Sequence, residues 1–219
     1  MISKSTITFL KDLKDNNNRD WFLLKNKEYQ KAKQEVIDLV KAVTENLSKK
    51  SKAYAEIDAS KCLFRINRDV RFSSNKDPYK TNMGAIINVH GKKSLKAGLY
   101  IHIEPQKSFL AGGVYMPPND VLAKIRQEID YNFEDFKKII NAKNFKQQFI
   151  DIDKSESLKN PPKGFDKDNE AITYIKLKSY IAVTEFSDKE ITAENFANLI
   201  SEKCLVLFPF LEFINNAID

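Results

Sequence analysis

The few arginines of this sequence are unevenly placed. Arg65, Arg68 and Arg71 are three of the five arginines, in a chain whose 36 basic residues are mostly lysines. A guanidinium group presents a planar fork of donors that matches a carboxylate or phosphate at two points, which an ammonium group cannot do. Segment 64–80 therefore predicts a binding site for a small anionic or phosphorylated ligand, formed by Arg65, Arg68, Arg71, Lys76, Tyr79 and Lys80.

Two other interpretations of this segment stay open. Arg68, Asp69 and Arg71 could form a structural ion network, because such networks also concentrate charge. Aromatic residues also alternate with the basic ones at Phe64, Phe72 and Tyr79. Stacking surfaces for single-stranded nucleic acid have this composition, so a nucleic-acid-binding module is the alternative to a small-anion site.

A second cluster of chemistry-bearing residues is Tyr100-Ile101-His102-Ile103-Glu104. Strand alternation places Tyr100, His102 and Glu104 on one face, with Gly112 and Gly113 expected to leave room on the partner strand. His102 and Glu104 are thus candidate catalytic residues for acid–base chemistry. A hydrogen-bonded structural histidine and a metal ligand are the alternatives.

The remaining polar features carry less information. Lys163, in the loop Pro161-Pro162-Lys163-Gly164, is a further candidate ligand for the same anion, whereas His90 is expected to be a surface residue in a turn. No phosphate-binding, dinucleotide-binding, nucleophile-elbow or zinc-protease signature occurs. The sequence predicts no metal site, because it has two histidines and no CxxC pair, and it identifies no cofactor.

The elements that must position these residues follow from hydrophobic periodicity. The pattern predicts strands at 62–68, 84–90, 97–104, 107–115, 172–177 and 180–186. It predicts helices at 5–14, 19–49, from 118 onward, in two pieces over 133–150, and at 192–216 with a kink or break at Pro209. The fold class is therefore α+β: a single domain over residues 1–219 with a central, mainly antiparallel sheet packed by the long N-terminal helix and C-terminal helices.

Composition indicates a globular cytosolic protein. Hydrophobic residues make up 42% and phenylalanine is frequent, at 15 residues, so an aromatic core is expected. The longest apolar run, 204–211, is interrupted by Pro209 and is too short to span a bilayer. Cys62 and Cys204 are expected to be buried free thiols. The net charge of +6 is concentrated in part at 61–80.

Several motifs together resemble the family filed as domain of unknown function 2461, over about residues 7–214. They are Asn18-Arg19-Asp20-Trp21-Phe22, Phe64-Arg65-Ile66-Asn67-Arg68-Asp69-Val70-Arg71-Phe72-Ser73, Lys76-Asp77-Pro78-Tyr79-Lys80-Thr81, Tyr100-Ile101-His102-Ile103-Glu104-Pro105, Gly112-Gly113 and Pro162-Lys163-Gly164. The resemblance implies a bacterial or fungal cytosolic protein and supplies no reaction, cofactor or catalytic residue. One departure is Asp168-Asn169-Glu170, where the family is expected to have Asp-His-Pro.

The sequence thus leads to three function hypotheses. The first is an uncharacterised cytosolic protein that binds a small anion, with its status as an enzyme open. The second is a nucleic-acid-binding module, and the third is a structural or interaction protein without a ligand site. No membrane partner is expected, and the sequence does not predict the oligomeric state.

Overall fold

The computed structural model describes residues 1–219 and contains ten α-helices and four β-strands. The helices are α1 (Lys4–Asp15), α2 (Arg19–Leu24), α3 (Asn26–Ser48), α4 (Ala59–Cys62), α5 (Asn119–Tyr131), α6 (Phe133–Ile140), α7 (Lys143–Phe149), α8 (Ile172–Ile175), α9 (Asp188–Ile191) and α10 (Phe196–Ile218). The strands are β1 (Met83–Ile87), β2 (Gly98–Ile103), β3 (Ser108–Val114) and β4 (Tyr180–Phe186). A short 3-10 helix spans Lys52–Glu56.

The four strands form one antiparallel sheet in the order β1-β2-β3-β4, and helices pack on it. The predicted α+β class is therefore confirmed. Strand β2 shows the predicted alternation: Leu99, Ile101 and Ile103 are buried, whereas the side chains between them are only partly buried. None of the helices combines the length and the apolar character needed to cross a bilayer.

The chain divides into two compact units, each made of separate segments. The first comprises Met1–Lys92, Tyr100–Leu110 and Glu185–Glu202, and the second comprises Lys93–Leu99, Ala111–Thr184 and Lys203–Asp219. The single domain expected over residues 1–219 stays a prediction.

The first unit is built on α3, whose buried side chains keep the helical spacing of three and four residues: Ala32, Val36, Leu39, Val40, Val43 and Leu47. The predicted helix over 19–49 is wrong in one respect, because it is interrupted at Lys25 (ψ 16°) and forms α2 and α3. The interruption places Phe22 of α2 against Tyr29 and Tyr79, at ring-centroid distances of 5.0 and 3.9 Å. Trp21 is partly buried and stacks on Phe9.

The strand predicted at 62–68 is also wrong. Residue Cys62 ends α4, and the chain beyond it forms only isolated bridges, between Leu63 and Ala85 and between Asn67 and Tyr79. The second bridge folds segment 64–80 back on itself. Pro78 lacks the N–H group that a longer ladder would need, so the segment remains a loop.

The second unit has an aromatic core in which the Phe136 ring contacts Tyr174, Phe210 and Phe213. Of the kink or break predicted at Pro209, the break does not occur, because α10 continues through Pro209 and buries a long apolar face. The kink stays a prediction. The strand predicted at 172–177 is wrong, since Ile172–Ile175 is α8. The Asn169 side chain accepts the Ala171 N–H at 2.8 Å, and this local bond starts a turn that overrides the β propensity of the isoleucines.

Candidate functional site

The polar face of β2 carries a chain of hydrogen-bonded side chains. The Tyr100 hydroxyl lies 3.1 Å from Nδ1 of His102, and Nε2 of His102 lies 3.0 Å from Oε2 of Glu104. The side chains of His102 and Glu104 are 14% and 24% exposed, so these hydrogen-bonded groups are partly accessible to solvent. The sequence therefore placed these three residues on one face correctly, and the structure joins them into a relay.

The surroundings fix the tautomer of the His102 ring. Glu104 can only accept, so Nε2 of His102 carries the proton and Nδ1 is left as an acceptor. Both Tyr100 Oη and the side-chain amide of Asn82 lie within reach of Nδ1, the latter at 3.4 Å. Thr81 donates its hydroxyl to the other carboxylate oxygen of Glu104 at 3.4 Å. This arrangement places Nδ1 of His102 as an acceptor for the Tyr100 hydroxyl.

Two neighbours hold the relay in shape. The Phe109 ring stacks on the His102 ring, with centroids 4.5 Å apart and planes 13° apart. On β1, Gly84 gives Tyr100 its space, since a Cβ there would overlap the Tyr100 hydroxyl and lie 3.0 Å from its ring. The room expected at Gly112 and Gly113 is not open, because Leu207 and the Tyr180 carbonyl occupy it.

Burial shapes the chemistry that the relay can perform. It raises the pKa of Tyr100 above its ordinary value of 10.0, and the nearby Glu104 charge raises it further. The phenol is therefore protonated at neutral pH, with a proton acceptor already hydrogen-bonded to it. A relay of carboxylate, imidazole and hydroxyl is the general arrangement for moving a proton to or from a bound molecule.

Beside Tyr100 lies a group of cations around Phe64, here called the Phe64 cation group and consisting of Arg65, Lys80 and Lys92. The ammonium groups of Lys92 and Lys80 lie 4.4 and 5.6 Å from the centroid of the Phe64 ring. That ring packs edge-on against Tyr100, at 6.1 Å. Lys80 donates to the Arg65 carbonyl at 2.9 Å, and Lys92 donates to the Leu63 carbonyl.

Arg65, Lys80 and Lys92 form no ion pair with any carboxylate. Partial burial lowers the pKa of Lys80, and repulsion from Arg65 and Lys92 lowers it further. The Arg65 charge lowers the pKa of the Asp69 carboxyl, but that carboxylate forms its ion pair with Arg71. The three cations therefore have no ion pair of their own, and an anion would relieve their repulsion.

The other cations of the 64–80 loop are engaged within it. Arg71 donates to both carboxylate oxygens of Asp69, at 2.9 and 2.7 Å, and its side chain is 76% exposed. Arg68 donates to the Asp77 carbonyl at 3.2 Å and to the Ser73 hydroxyl at 3.3 Å. Lys76 similarly donates to the Val70 carbonyl at 3.0 Å.

Tyr79 is turned into the protein. Its ring is 8% exposed and stacks on Phe22, and the Asn17 side chain both donates to its carbonyl and accepts from its N–H. Lys163 is exposed in the loop that follows Pro161 and Pro162. His90 is exposed in a turn, as expected.

No hydrogen bond or ion pair joins Arg65, Arg68 or Arg71 to His102 or Glu104. We expected at least one of these arginines to line the same concavity as His102 and Glu104, and this stays a prediction. The structure also holds no group of three or more His, Cys, Asp and Glu side chains placed to bind a metal ion.

The sequence interpretation missed Lys92, Asn82 and Phe109. Lys92 lies in the lysine-rich turn after Gly91, and no feature of the sequence separates it from its neighbour Lys93. Phe109 carries a weak signal, because alternation along β3 places it on the more exposed face, with Ser108 and Leu110 buried.

A family model described as conserved hypothetical protein (DUF2461) matches residues 5–213. No curated protein and no solved structure matches the chain.

Proposed function

The chain belongs to the DUF2461 family of conserved hypothetical proteins. That description names no activity, and we propose that the protein binds a small anionic or phosphorylated ligand at the Phe64 cation group. The observation that carries this proposal is that Arg65, Lys80 and Lys92 repel one another at one point of the surface and none of them forms an ion pair. Clustered cations repel one another, so a protein that keeps them together gains stability when an anion binds.

The ligand would be held by charge and by an apolar face. Arg65 offers a guanidinium fork for a phosphate or carboxylate group, and Lys80 and Lys92 add ammonium donors. Phe64, 41% exposed, offers an apolar ring between them. This basic patch faces the Tyr100 end of the relay through the contact between the Phe64 and Tyr100 rings.

The relay gives the site a means of acid–base chemistry, and on it rests the proposal that the protein is an enzyme. As the Tyr100 hydroxyl proton moves onto Nδ1 of His102, the phenol oxygen takes up a proton from the ligand. The Glu104 carboxylate stabilises the imidazolium that forms. In this scheme Tyr100 contacts the ligand, His102 is the base, and Glu104 orients His102.

The test is a titration with inorganic phosphate, followed by the NMR amide signals of residues 64, 65, 80 and 92. In the wild type we expect these signals to shift and to saturate. The double variant Arg65→Ala/Lys80→Ala should bind phosphate at least roughly tenfold more weakly, since a hydrogen bond to a charged group contributes about 1.5–3 kcal/mol. Arg71→Ala is the matched control. Equal affinity in the double variant and the control would refute the proposal.

A second candidate is a binding surface for single-stranded nucleic acid, favoured by one observation. The Phe72 ring is 96% exposed, and the Arg71 guanidinium lies 5.8 Å from its centroid. Exposed rings flanked by cations suit base stacking. A dT oligonucleotide should then bind with an affinity that falls steeply with salt, and Phe72→Ala should weaken it. Binding of phosphate alone, with no affinity for the oligonucleotide, would exclude this candidate.

We further propose that the protein acts in the cytoplasm. Cys62 and Cys204 are both buried free thiols, as predicted. Burial raises the pKa of each thiol, so both stay protonated and unreactive. Unpaired cysteines of this kind suit a reducing compartment.

A further inference from the structure

The second unit contains a lysine-lined cavity that the sequence interpretation did not find. Its volume is about 370 Å³, within the range of small-molecule sites. No acidic residue lines it, and Pro161, Ile172 and Leu177 give it an apolar floor. The polar residues of the lining are four lysines, one serine and one threonine: Lys154, Lys159, Lys167, Lys176, Ser157 and Thr173.

Three of the four lysines form no ion pair. Lys154 forms an ion pair with Asp151 at 2.6 Å and lies over the Tyr174 ring. Lys159, Lys167 and Lys176 form no ion pair. The nearby carboxylate of Glu156 is engaged by Lys178, at 3.2 Å. The cavity therefore presents at least three uncompensated positive charges to whatever enters it.

A buried arginine adds to this positive field. Arg126 of α5 is 8% exposed, forms no ion pair, and donates from Nη2 to the Leu177 carbonyl at 3.0 Å. Its Nε has no hydrogen-bond partner. A buried guanidinium without a counter-ion is costly. The guanidinium is thus hydrogen-bonded to Leu177, which lines the cavity, and an anion in the cavity would offset part of that cost.

We propose that this lysine cavity is a second binding site, for a small molecule that carries a di- or triphosphate chain. Lysine ammonium groups act as separate point charges, and several of them along a wall match a chain of phosphates better than a single carboxylate. The hydroxyls of Ser157 and Thr173 provide further donors, and the apolar floor accommodates an organic part of the ligand. The inference stands independently of the Phe64 cation group.

The test uses inorganic pyrophosphate as the probe, in calorimetric titrations of the full-length protein. The double variant Lys159→Ala/Lys167→Ala should lose at least roughly tenfold in affinity at one site, which corresponds to 1.4 kcal/mol or more. Lys143→Ala is the matched control, because Lys143 is an exposed lysine of the same unit without an ion pair and does not line the cavity. The melting temperature of each variant reports whether it folds.

Site-resolved NMR separates this inference from the proposed function. Pyrophosphate should shift the amide signals of Thr173 and Lys176 in the wild type and equally in Arg65→Ala/Lys80→Ala. The inference is overturned if these signals do not move, if they move equally in Lys159→Ala/Lys167→Ala, or if pyrophosphate binds at the Phe64 cation group alone.

Discussion

Two groups of cations, close together in the sequence, use their charge in different ways. Arg68 and Arg71 donate to the Asp77 and Ser73 oxygens and to the Asp69 carboxylate, and so stabilise the loop that carries them. Arg65, Lys80 and Lys92 form no ion pair, although Lys80 and Lys92 share the Phe64 ring and both other cations repel Lys80. The difference shows that the position of the nearest carboxylate, rather than the density of basic residues, decides whether a cation is engaged within the fold.

The largest effect on phosphate affinity is expected when one charge of the Phe64 cation group is reversed. Lys92→Glu places a carboxylate in the Phe64 cation group, where it would pair with the remaining cations in place of the ligand. We expect phosphate affinity to fall roughly 100-fold, or about 2.8 kcal/mol, and the pKa of Lys80 to rise toward its ordinary value of 10.5. Titration and NMR of the Lys80 ammonium measure both. Arg71→Glu carries the same change in charge and should leave affinity unchanged; if it also abolishes binding, the distinction fails.

The second prediction concerns the space that Gly84 provides for Tyr100, which affects the hydrogen-bonded side chains of β2 and not the 64–80 loop. A Cβ at Gly84 overlaps Tyr100, so Gly84→Ala should lower the free energy of unfolding by about 1–3 kcal/mol, as overpacking does. In a Tyr100→Phe background, which lacks the overlapped hydroxyl, the same substitution should cost less. A double-mutant cycle measured by denaturant unfolding gives the coupling. Additive effects would mean that Gly84 does not act through Tyr100.

Arg68 should contribute more to stability than Arg71. Arg68→Ala removes two hydrogen bonds of a side chain that is 25% exposed, and we expect a loss of about 1 kcal/mol. Arg71→Ala removes a solvent-exposed pair and should leave the melting temperature unchanged. Thermal unfolding of the two variants measures the contrast. A larger loss of stability for Arg71→Ala would contradict the conclusion that Arg68 stabilises the loop more than Arg71 does.

The smallest expected effect is a pH dependence due to Tyr100. Its pKa is raised in the folded state, so it contributes stability below pH 10.0 that is lost as the pH rises through the raised value. Tyr100→Phe should remove this part of the alkaline loss in unfolding free energy. Tyr115→Phe is the control, because Tyr115 is 70% exposed. The hypothesis is wrong if both variants keep the wild-type pH profile.

Local patterns predicted most of the regular structure. Strand β4 was expected at 180–186 and lies at Tyr180–Phe186, because a short run of β-branched and aromatic residues bounded by polar residues is typical of a strand. The failures at 62–68 and 172–177 are β-propensity runs overruled by hydrogen bonds that propensity cannot represent. In the first, the chain folds back through the Asn67–Tyr79 bridge, and in the second the Asn169 side chain starts a helical turn.

The relay residues were predictable and the cation partners were not. Tyr100, His102 and Glu104 follow from the two-residue period of one strand. Whether a given arginine forms an ion pair depends on how the loop folds, and here the Asp69 carboxylate pairs with Arg71 rather than with Arg65. Lys92 is separated from Lys80 in the sequence, and the two ammonium groups come together over the same Phe64 ring.

The strand order has a consequence for synthesis of the protein on the ribosome. Strands β1, β2 and β3 are joined by short connections, 88–97 and 104–107, whereas residues 115–179 separate β3 from β4. At about 5–20 residues per second, translation reaches β4 roughly 3–13 s after β3. During that interval β3 is the unpaired edge of a nascent three-stranded sheet, open to wrong pairing or to a chaperone. Codon usage or a pause between residues 115 and 179 would lengthen that exposure and lower the yield of folded protein.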